Sequence, residues 1–569
     1  MDRSTIIAKG ADGYYHPGNE DDVVALVKFA AANKLLIRVR GASHSTAWSI
    51  FTDPVDGVPS NRTLTRRPPA GPNLDLAMDR MTRLIWVDEA KGIVEAEAGI
   101  HLGADPYDAL GPATLEDSLL YQAFEKGWGL NDLGGITHQT VSGFTATGSA
   151  GGSLVYDLDN AIAFRVVDGT GAVSWIEESD PIFGAMRVSV GLLGIVTRVR
   201  LQLNPTFNIY GQEVTTPTAP PDCPIDLFGP GDPARPSMRR FLETAPYSRV
   251  LWWPQNKAER VVIWQAVRQT APQPQAFAPV PYLEFTPDLF GWIEQLLGSF
   301  FYVLLGNRGF AQNVPKLLRN YLRFFHCLGE MWAGRIGGLA AALLAALVTI
   351  LLAALLLVPM LIFILFPGLL TLLFPFALGI FQPMTGNGKP TLFEDYYWRS
   401  LCMDNTADDI LLGTEFTEIW VPIQYTEQCM NLLNRMFIDK GRQAVGNFST
   451  EIYGSPPNSS WLSPGYSDGN DEYKDGVVRF DVFWFRENEG EPNVEGGFFQ
   501  QYWDLFLAND IPFRLHWGKF VPAYDFPFWA GHYRSSLPRF EEFLRLRAQR
   551  DPDDIFFTRY WRERFTGHA

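Results

Sequence analysis

From Ile336 to Phe381 the chain runs 46 residues without one charged side chain, almost all of it Leu, Ala, Val, Ile and Phe. No other stretch restricts the fold so strongly. At a rise of about 1.5 Å per residue, roughly 20 residues cross the hydrocarbon of a bilayer, so a run of this length can cross it twice. Pro359, Pro367 and Gly368 fall near the middle, where a hairpin would turn. Strand-like segments resume after Phe381 and must rejoin the sheet they left, so both ends should emerge on one side. A buried helix pair or an in-plane insertion is the alternative, because length alone does not set depth. Just upstream, Arg308, Lys316, Arg319, Arg323 and Arg335 have only Glu330 as acidic company. That basic flank suits anionic headgroups, and the positive-inside tendency then places the globular part in the cytoplasm. A lipid bilayer is therefore an expected partner.

Elsewhere the sequence is strongly acidic. A net charge of −16 argues against a general nucleic-acid binder. Cys223, Cys327, Cys402 and Cys429 lie far apart without metal-ligand spacing, and the histidines form no H-E-x-x-H, so no metal site is expected.

Near the N-terminus, acids at Glu20, Asp21 and Asp22 open a helical pattern that Asn19 can cap and that runs to Asn33. Ile37 and Val39 alternate with Arg38 and Arg40, the period of a half-buried strand. The strand enters Gly41-Ala42-Ser43-His44-Ser45, small side chains whose backbone N–H groups can face an anion such as a pyrophosphate. Leu84–Asp88 and Ile93–Ala98 read as two strands joined by a turn. A second glycine-rich segment, Leu133 to Gly152, holds Gly134, His138, Thr140, Ser142, Gly143, Thr147 and Gly148. Its composition favours neither helix nor strand and points to a loop wrapped round a ligand. Ala161–Val167 is a further strand, and Gly191-Leu192-Leu193-Gly194-Ile195-Val196-Thr197 turns into another.

In this order over about 200 residues, these pieces resemble the FAD-binding domain of the vanillyl-alcohol-oxidase superfamily. The resemblance implies FAD, with its pyrophosphate on Arg40 to Ser45 and with Gly134, Thr140, Ser142, Gly143, Thr147, Gly148, Gly194, Ile195 and Val196 around it. In many members the histidine matching His44 is bonded covalently to the flavin, and no cysteine stands where doubly linked members carry one. Pro512-Phe513-Arg514-Leu515-His516-Trp517-Gly518-Lys519, Thr450-Glu451-Ile452-Tyr453 and Trp461-Leu462-Ser463-Pro464-Gly465-Tyr466 are similar to the sugar-lactone and alditol oxidase branch.

The implied architecture is α+β, a two-part FAD-binding domain (PCMH-type) under an antiparallel-sheet substrate cap that carries the membrane insertion. Its segments are an FAD-binding part at 1–205, cap at 206–335, hydrophobic hairpin at 336–381, cap again at 382–505, and a segment completing the flavin site at 506–569. Glu451, Lys519 and His516 are the expected catalytic groups: a carboxylate to position or deprotonate a hydroxyl, an ammonium for developing negative charge, and a further acid–base group. Tyr453 stands where the branch has arginine, Ala150 where it has histidine. Arg479, in a nearby strand-like run, is the candidate to restore the missing charge at the substrate.

In the family a glycine at the start of the second loop admits dioxygen, whereas alanine favours a dehydrogenase. Gly134, or Gly135, occupies that place, so dioxygen is the expected acceptor and hydrogen peroxide the product. The donor expected from the branch is a CH–OH group of a sugar lactone or polyol. An apolar lipid alcohol taken from the membrane is the alternative that Tyr453 favours, and a membrane scaffold retaining an inert flavin domain is a third reading.

Overall fold

The computed structural model describes residues 3–55, 68–157 apart from 106, 107, 109 and 112, 160–254, 259–270, 277–280, 384–385, 389–403, 414–439, 449–485 and 498–568, with scattered helical positions between 343 and 366. The first helix, Glu20–Asn33, is capped by the Asn19 side chain, which accepts from the Asp22 N–H at 3.0 Å. Its acidic first turn complements the dipole, and it ends at Lys34 in the left-handed region. Val23, Leu26, Val27, Phe29 and Ala30 are buried on its inner face.

Strand β1 (Ile37–Arg40) pairs in parallel with β2 (Leu74–Ala77). The alternation in β1 suggests one wet face, yet Arg38 and Arg40 are both buried, at 5 % and 3 % exposure. The reason is local satisfaction: Arg38 spends its guanidinium on the carbonyls of Ser49, Val190, Gly191 and Phe556. A buried cation whose two terminal nitrogens are spent on carbonyls leaves net positive charge beneath the loop that follows.

Behind this pair stands a five-stranded antiparallel sheet in the order β3 (Leu84–Asp88), β4 (Ile93–Glu97), β8 (Ile195–Gln202), β6 (Ala161–Val167), β7 (Val173–Glu177). Every second residue of β8 is buried, the signature of a sheet with one packed face. Two short strands, β5 (Trp128–Gly129) and β9 (Asn204–Pro205), pair beside it.

The second layer is an eight-stranded antiparallel sheet. Its order is β13 (Thr391–Tyr396), β10 (Phe207–Pro217), β12 (Arg260–Thr270), β11 (Tyr247–Trp253), β15 (Thr450–Ser455), β16 (Val477–Phe485), β14 (Thr414–Pro422), β17 (Arg514–Leu515). After β17 the chain returns to the first layer through helices Phe526–Ser536, Phe540–Arg550 and Arg559–Thr566. Ile37 N–H donates to Ile555, Thr46 N–H to Gly518 and the Trp561 indole to Ser49, so the C-terminal segment closes over the first glycine turn. Trp420, Trp503, Trp517, Trp529 and Trp561 are fully buried where the layers meet.

The glycine-rich second segment holds a helix, Val141–Thr147, where composition suggests only a loop. Its ends account for it. Thr140 Oγ1 accepts from the Gly143 N–H at 3.3 Å as N-cap, and Gly148 takes the left-handed conformation (φ 71°) that stops it.

Of the long apolar run, the described positions Leu343, Leu347, Ile350, Leu351, Leu357, Val358, Leu361, Ile362, Leu365 and Phe366 lie at helical spacing and are all exposed, Leu343 and Phe366 each at 63 %. Among the described residues no helix is long and apolar enough to cross a membrane. The remainder of the expected hairpin, and the basic flank from Arg308 to Arg335, lie outside the described residues.

Candidate active site

Two groups of residues converge between the layers. The first surrounds a cavity between the two glycine-rich turns. Gly41 to Ser45 form one wall, Thr140, Ser142, Gly143 and Thr147 the second, Gly191 with Gly194 to Val196 the third, and Trp517, Gly518, Phe556 and Trp561 close it. Glycine is required at 41, because an added Cβ would lie 2.5 Å from Thr140 Oγ1. It is required again at 194, where φ is +132° and a Cβ would fall 2.6 Å from the Val167 carbonyl. Ser43 sits in the left-handed region at φ 62°, which turns successive N–H groups inward. The hydroxyls of Ser43 and Ser189 are buried without a protein partner, and Ser189 also lines the cavity. Such orphans ask for a polar ligand.

Among the residues singled out from sequence, Gly41, Ala42, Ser43, His44, Ser45, Thr140, Ser142, Gly143, Thr147, Gly194, Ile195 and Val196 all line this cavity. Three do not. Arg40 turns away to Asp108, with Nη2 2.8 Å from Oδ1. Gly148 lines a neighbouring cavity that Ala150 and Trp420 also border. Gly134 lies in the turn before the helix, where a Cβ would meet Gln139 Oε1 at 3.6 Å and Ser149 at 3.8 Å, ordinary contacts. Arg38, Ser189, Trp517 and Trp561 line the cavity without having been assigned to it. Arg38 and Ser189 stood in strand-and-turn segments and Trp517 in the motif that ends at Lys519; Trp561 gave no signal.

The second group stands on the inner face of the eight-stranded sheet. In register, Asp481 of β16 lies between Glu451 of β15 and Glu418 of β14, and Arg479 lies between Tyr453 and Trp420. A row of three acids therefore runs beside a row carrying one cation. Arg479 Nη2 reaches Asp481 Oδ2 at 3.1 Å, its Nε reaches Glu418 Oε1 at 3.5 Å, and Nη1 donates to the Ala150 carbonyl at 2.6 Å. Its guanidinium lies 4.4 Å above the Tyr453 ring. The Tyr453 phenol donates to Glu451, and the Trp420 indole donates to Glu418 Oε1 at 2.9 Å.

These contacts divide the three carboxyls. Burial opposes ionisation of Glu418, but Arg479, His516 and Lys519 override it and hold it below the usual range. Burial, reinforced by Glu418, drives Asp481 well above that range. Burial also raises Glu451, partly countered by the Tyr453 hydrogen bond and by Arg479. Burial works against the Arg479 charge, yet Glu418 and Asp481 more than offset it and leave its affinity for the proton above the ordinary value.

Lys519 and His516 approach from the turn after β17. Lys519 Nζ lies 3.9 Å from the centre of the Phe416 ring, two residues along β14 from Glu418. His516 Nδ1 accepts from the Gly518 N–H at 3.2 Å, and the ring also engages the Gly148 backbone. Burial depresses its pKa to about 4, which makes it a neutral brace between the lysine turn and the second glycine segment at pH 7. Asp132, at the entrance to that segment, is pushed up to about 7 by burial, with Oδ1 accepting from the Leu133 N–H at 2.8 Å. Glu418, Asp481 and Asp132 carry no local motif that sequence alone reveals.

No family model matches the chain. Its sequence is similar to the D-arabinono-1,4-lactone oxidase of Candida glabrata, 25% identical over 305 residues that make up 53% of this chain and 47% of that one. It is also similar to the L-gulonolactone oxidase of Bos taurus, 24% identical over 337 residues, 56% of this chain and 65% of that one. The chain thus spans about half the length of the D-arabinono-1,4-lactone oxidases it matches. The structure shares the fold of a cholesterol oxidase from B. sterolicum with a TM-score of 0.60 and 16% identity, covering 97% of this chain and 93% of that one.

Proposed function

We propose that this chain is a membrane-associated, FAD-dependent oxidase of a CH–OH group on a sugar lactone or polyol, with the cofactor tethered through His44. The observation that carries this reading is the closeness of two unlike sites. A polar cradle with two orphaned hydroxyls is closed by Gly518, and the next residue, Lys519, belongs with the buried Arg479 and the partly enclosed Glu451 to a group that can take up a proton and stabilise an anion. The similarity to lactone oxidases supports the same choice of donor.

The cradle residues fit FAD. Gly41 to Ser45 and Gly194 to Val196 would hold its phosphates and Thr140 to Thr147 its flank, over the positive charge of Arg38. Bound there, FAD would supply a two-electron acceptor at N5 for the hydride from the alcohol carbon. Glu451 takes the hydroxyl proton; its raised pKa makes it a stronger base than an exposed carboxylate. The Tyr453 phenol steers the Glu451 oxygen it bonds, and Arg479 fixes the tyrosine ring from above. Lys519 and Arg479 place positive charge where negative charge develops. Glycine at 134, as the resemblance implies for oxidases, supports dioxygen as the final acceptor.

The exposed apolar helical positions from Leu343 to Phe366 support attachment to a bilayer. They also favour a second donor class, an apolar lipid alcohol entering from the membrane. A peroxide assay against aldono-lactones, polyols and membrane alcohols tests both. Turnover of lactones or polyols alone upholds the first reading, turnover of lipid alcohols alone the second, and silence on all refutes the oxidase. Flotation with vesicles followed by a carbonate wash tests attachment, and recovery in the soluble fraction before the wash would refute it.

A further inference from the structure

Met403 joins the second glycine segment to the proposed base. Its N–H donates to the Gly135 carbonyl at 2.7 Å. Its Cε packs on the same turn, where a Cβ added at Gly135 would lie 3.3 Å from it. Its Sδ lies 3.8 Å from the Tyr453 phenol oxygen, within reach of a hydrogen bond to sulfur. The phenol has a single hydrogen, and Glu451 holds it through the closer contact. The thioether therefore stands as a second, weaker acceptor beside the bond that steers Glu451.

Exposure sets this methionine apart. Met78, Met81, Met186, Met238, Met430 and Met436 are buried, at 8 % exposure or less, whereas Met403 is half-buried. Met384 is open to solvent at 38 %, but it precedes Thr385, which bonds Thr215 of β10, three strands away from Tyr453. The adjacent Cys402 is buried, and its thiol donates to the Trp398 carbonyl at 3.3 Å, the setting of an inert thiol. A half-exposed thioether is open to oxidation, and oxidation makes an apolar group polar.

We infer that Met403 is a modification site, oxidised to its sulfoxide by the hydrogen peroxide made beside it, and that the added oxygen draws the Tyr453 phenol away from Glu451. The inference rests on the oxidase reading, which supplies the peroxide and makes Glu451 the base. In the step a sulfur lone pair attacks one peroxide oxygen; an S–O bond forms and the O–O bond breaks. The departing oxygen keeps its own hydrogen, takes the one released by the transferred oxygen, and leaves as water. Sulfur loses two electrons and the peroxide gains them. An oxygen on the phenol side of Sδ stands within range of an O–H···O hydrogen bond and accepts better than thioether sulfur. Glu451 then loses its donor, while the other groups that face it stay: Arg479 and Asp481 on β16, Glu418 on β14 and Arg249 on β11. The phenol favours the carboxylate, so its departure strengthens the hold of Glu451 on a proton and lowers activity on the acidic side alone. Product accumulation thereby restrains the site that makes it.

The test treats the full-length holoenzyme with hydrogen peroxide, removes the excess with catalase, and reads peptide masses and the pH profile together. Met403 is expected to gain one oxygen well before the buried Met78, Met186, Met238 and Met430. The acidic limb of kcat/KM should move up by about one pH unit, a loss of about tenfold on that limb. Methionine sulfoxide reductases covering both epimers should restore mass and limb alike. Met403→Leu, which conserves volume, should keep its limb in place through the same treatment. Turnover of a lactone with no peroxide added should oxidise Met403 as well, and modification confined to added peroxide would overturn the restraint by product. Met403 left unmodified while Met384 is oxidised would overturn the inference. So would an oxidised Met403 with an unmoved limb or a loss uniform across pH, or an equal shift in Met403→Leu. Failure of every alcohol to yield peroxide would refute the oxidase reading and the restraint with it, while the masses after added peroxide still decide whether Met403 is the modification site.

Discussion

The Tyr453–Glu451 hydrogen bond makes the sharpest demand on the proposed chemistry, and Tyr453→Phe removes it alone. The phenol is the polar partner that stabilises ionised Glu451, while the ring keeps its place under the Arg479 guanidinium, 4.4 Å away. A hydrogen bond to a charged group is worth about 1.5–3 kcal/mol. Glu451 is only partly enclosed, so the low end applies, about 1.5 kcal/mol, which corresponds to about one pH unit at about 1.4 kcal/mol each. The sign follows from which form is lost: the phenol favours the carboxylate, so its removal raises the pKa further above an already elevated value. If Glu451 must be ionised to take the hydroxyl proton, the acidic limb of kcat/KM moves up by about one pH unit, a loss of about tenfold on that limb. Above the shifted limb the variant and wild type converge. Steady-state peroxide production from pH 4 to 9, with flavin content matched, reads this directly. A limb that stays in place, or a loss uniform across pH, would show that Glu451 is not the proton acceptor.

Other substitutions probe the remaining supports. Gly41→Ala puts a Cβ 2.5 Å from Thr140 Oγ1, at the cap of the helix from Val141; it should cost about 1–3 kcal/mol in thermal unfolding and abolish FAD retention on gel filtration. Arg479→Met strands the ionised Glu418 without its buried partner and should cost about 3–5 kcal/mol; adding Glu418→Gln should recover part of it, and no recovery would deny the pairing. Gly134→Ala meets only ordinary contacts, so stability should change by less than about 0.5 kcal/mol while reoxidation of the reduced flavin by air, followed by stopped flow, slows sharply. Asp132 has a folded-state pKa of about 7 against 3.8 ordinarily, so stability present below pH 4 is lost as pH rises through 7. Asp132→Asn should therefore be more stable than wild type at pH 8, by on the order of 2–4 kcal/mol, with no such gain at pH 4.

What was legible in the sequence was local. The helix from Glu20, the strand at Ile37 and the turn at Gly41 each depend on residues within a few positions of one another, and cap, alternation and glycine can be read along the chain. The helix from Val141 was hidden because three of its features argue against helix: Gly143 inside it, hydroxyls throughout, and glycines on both sides. An N-cap hydrogen bond and a left-handed glycine stop, which propensity does not weigh, decided the matter. Arg38 was misjudged for a different reason. Alternation assumes that a charged residue seeks water, and four carbonyls brought from Ser49, Val190, Gly191 and Phe556 replaced that water. The acid row was not legible at all, since Glu418, Asp481 and Glu451 meet only through the pairing order β15, β16, β14.

That pairing order also accounts for the departure at position 453. In a sheet, side chains directly opposite on adjacent strands project to the same face a few ångströms apart. Tyr453 and Arg479 are such a pair. An arginine on β16 therefore brings its charge close to position 453 while that position carries a ring. The placement has a consequence, because a guanidinium on β16 stands next to Asp481 and Glu418 rather than beside Glu451 alone. Part of its charge is spent on those two acids, and Glu451 keeps a neutral phenol as its hydrogen-bond donor in place of a cation. A carboxylate with a neutral donor is more basic than one paired to arginine. The result is a stronger base at Glu451 with the Tyr453 ring as an aromatic wall beside it.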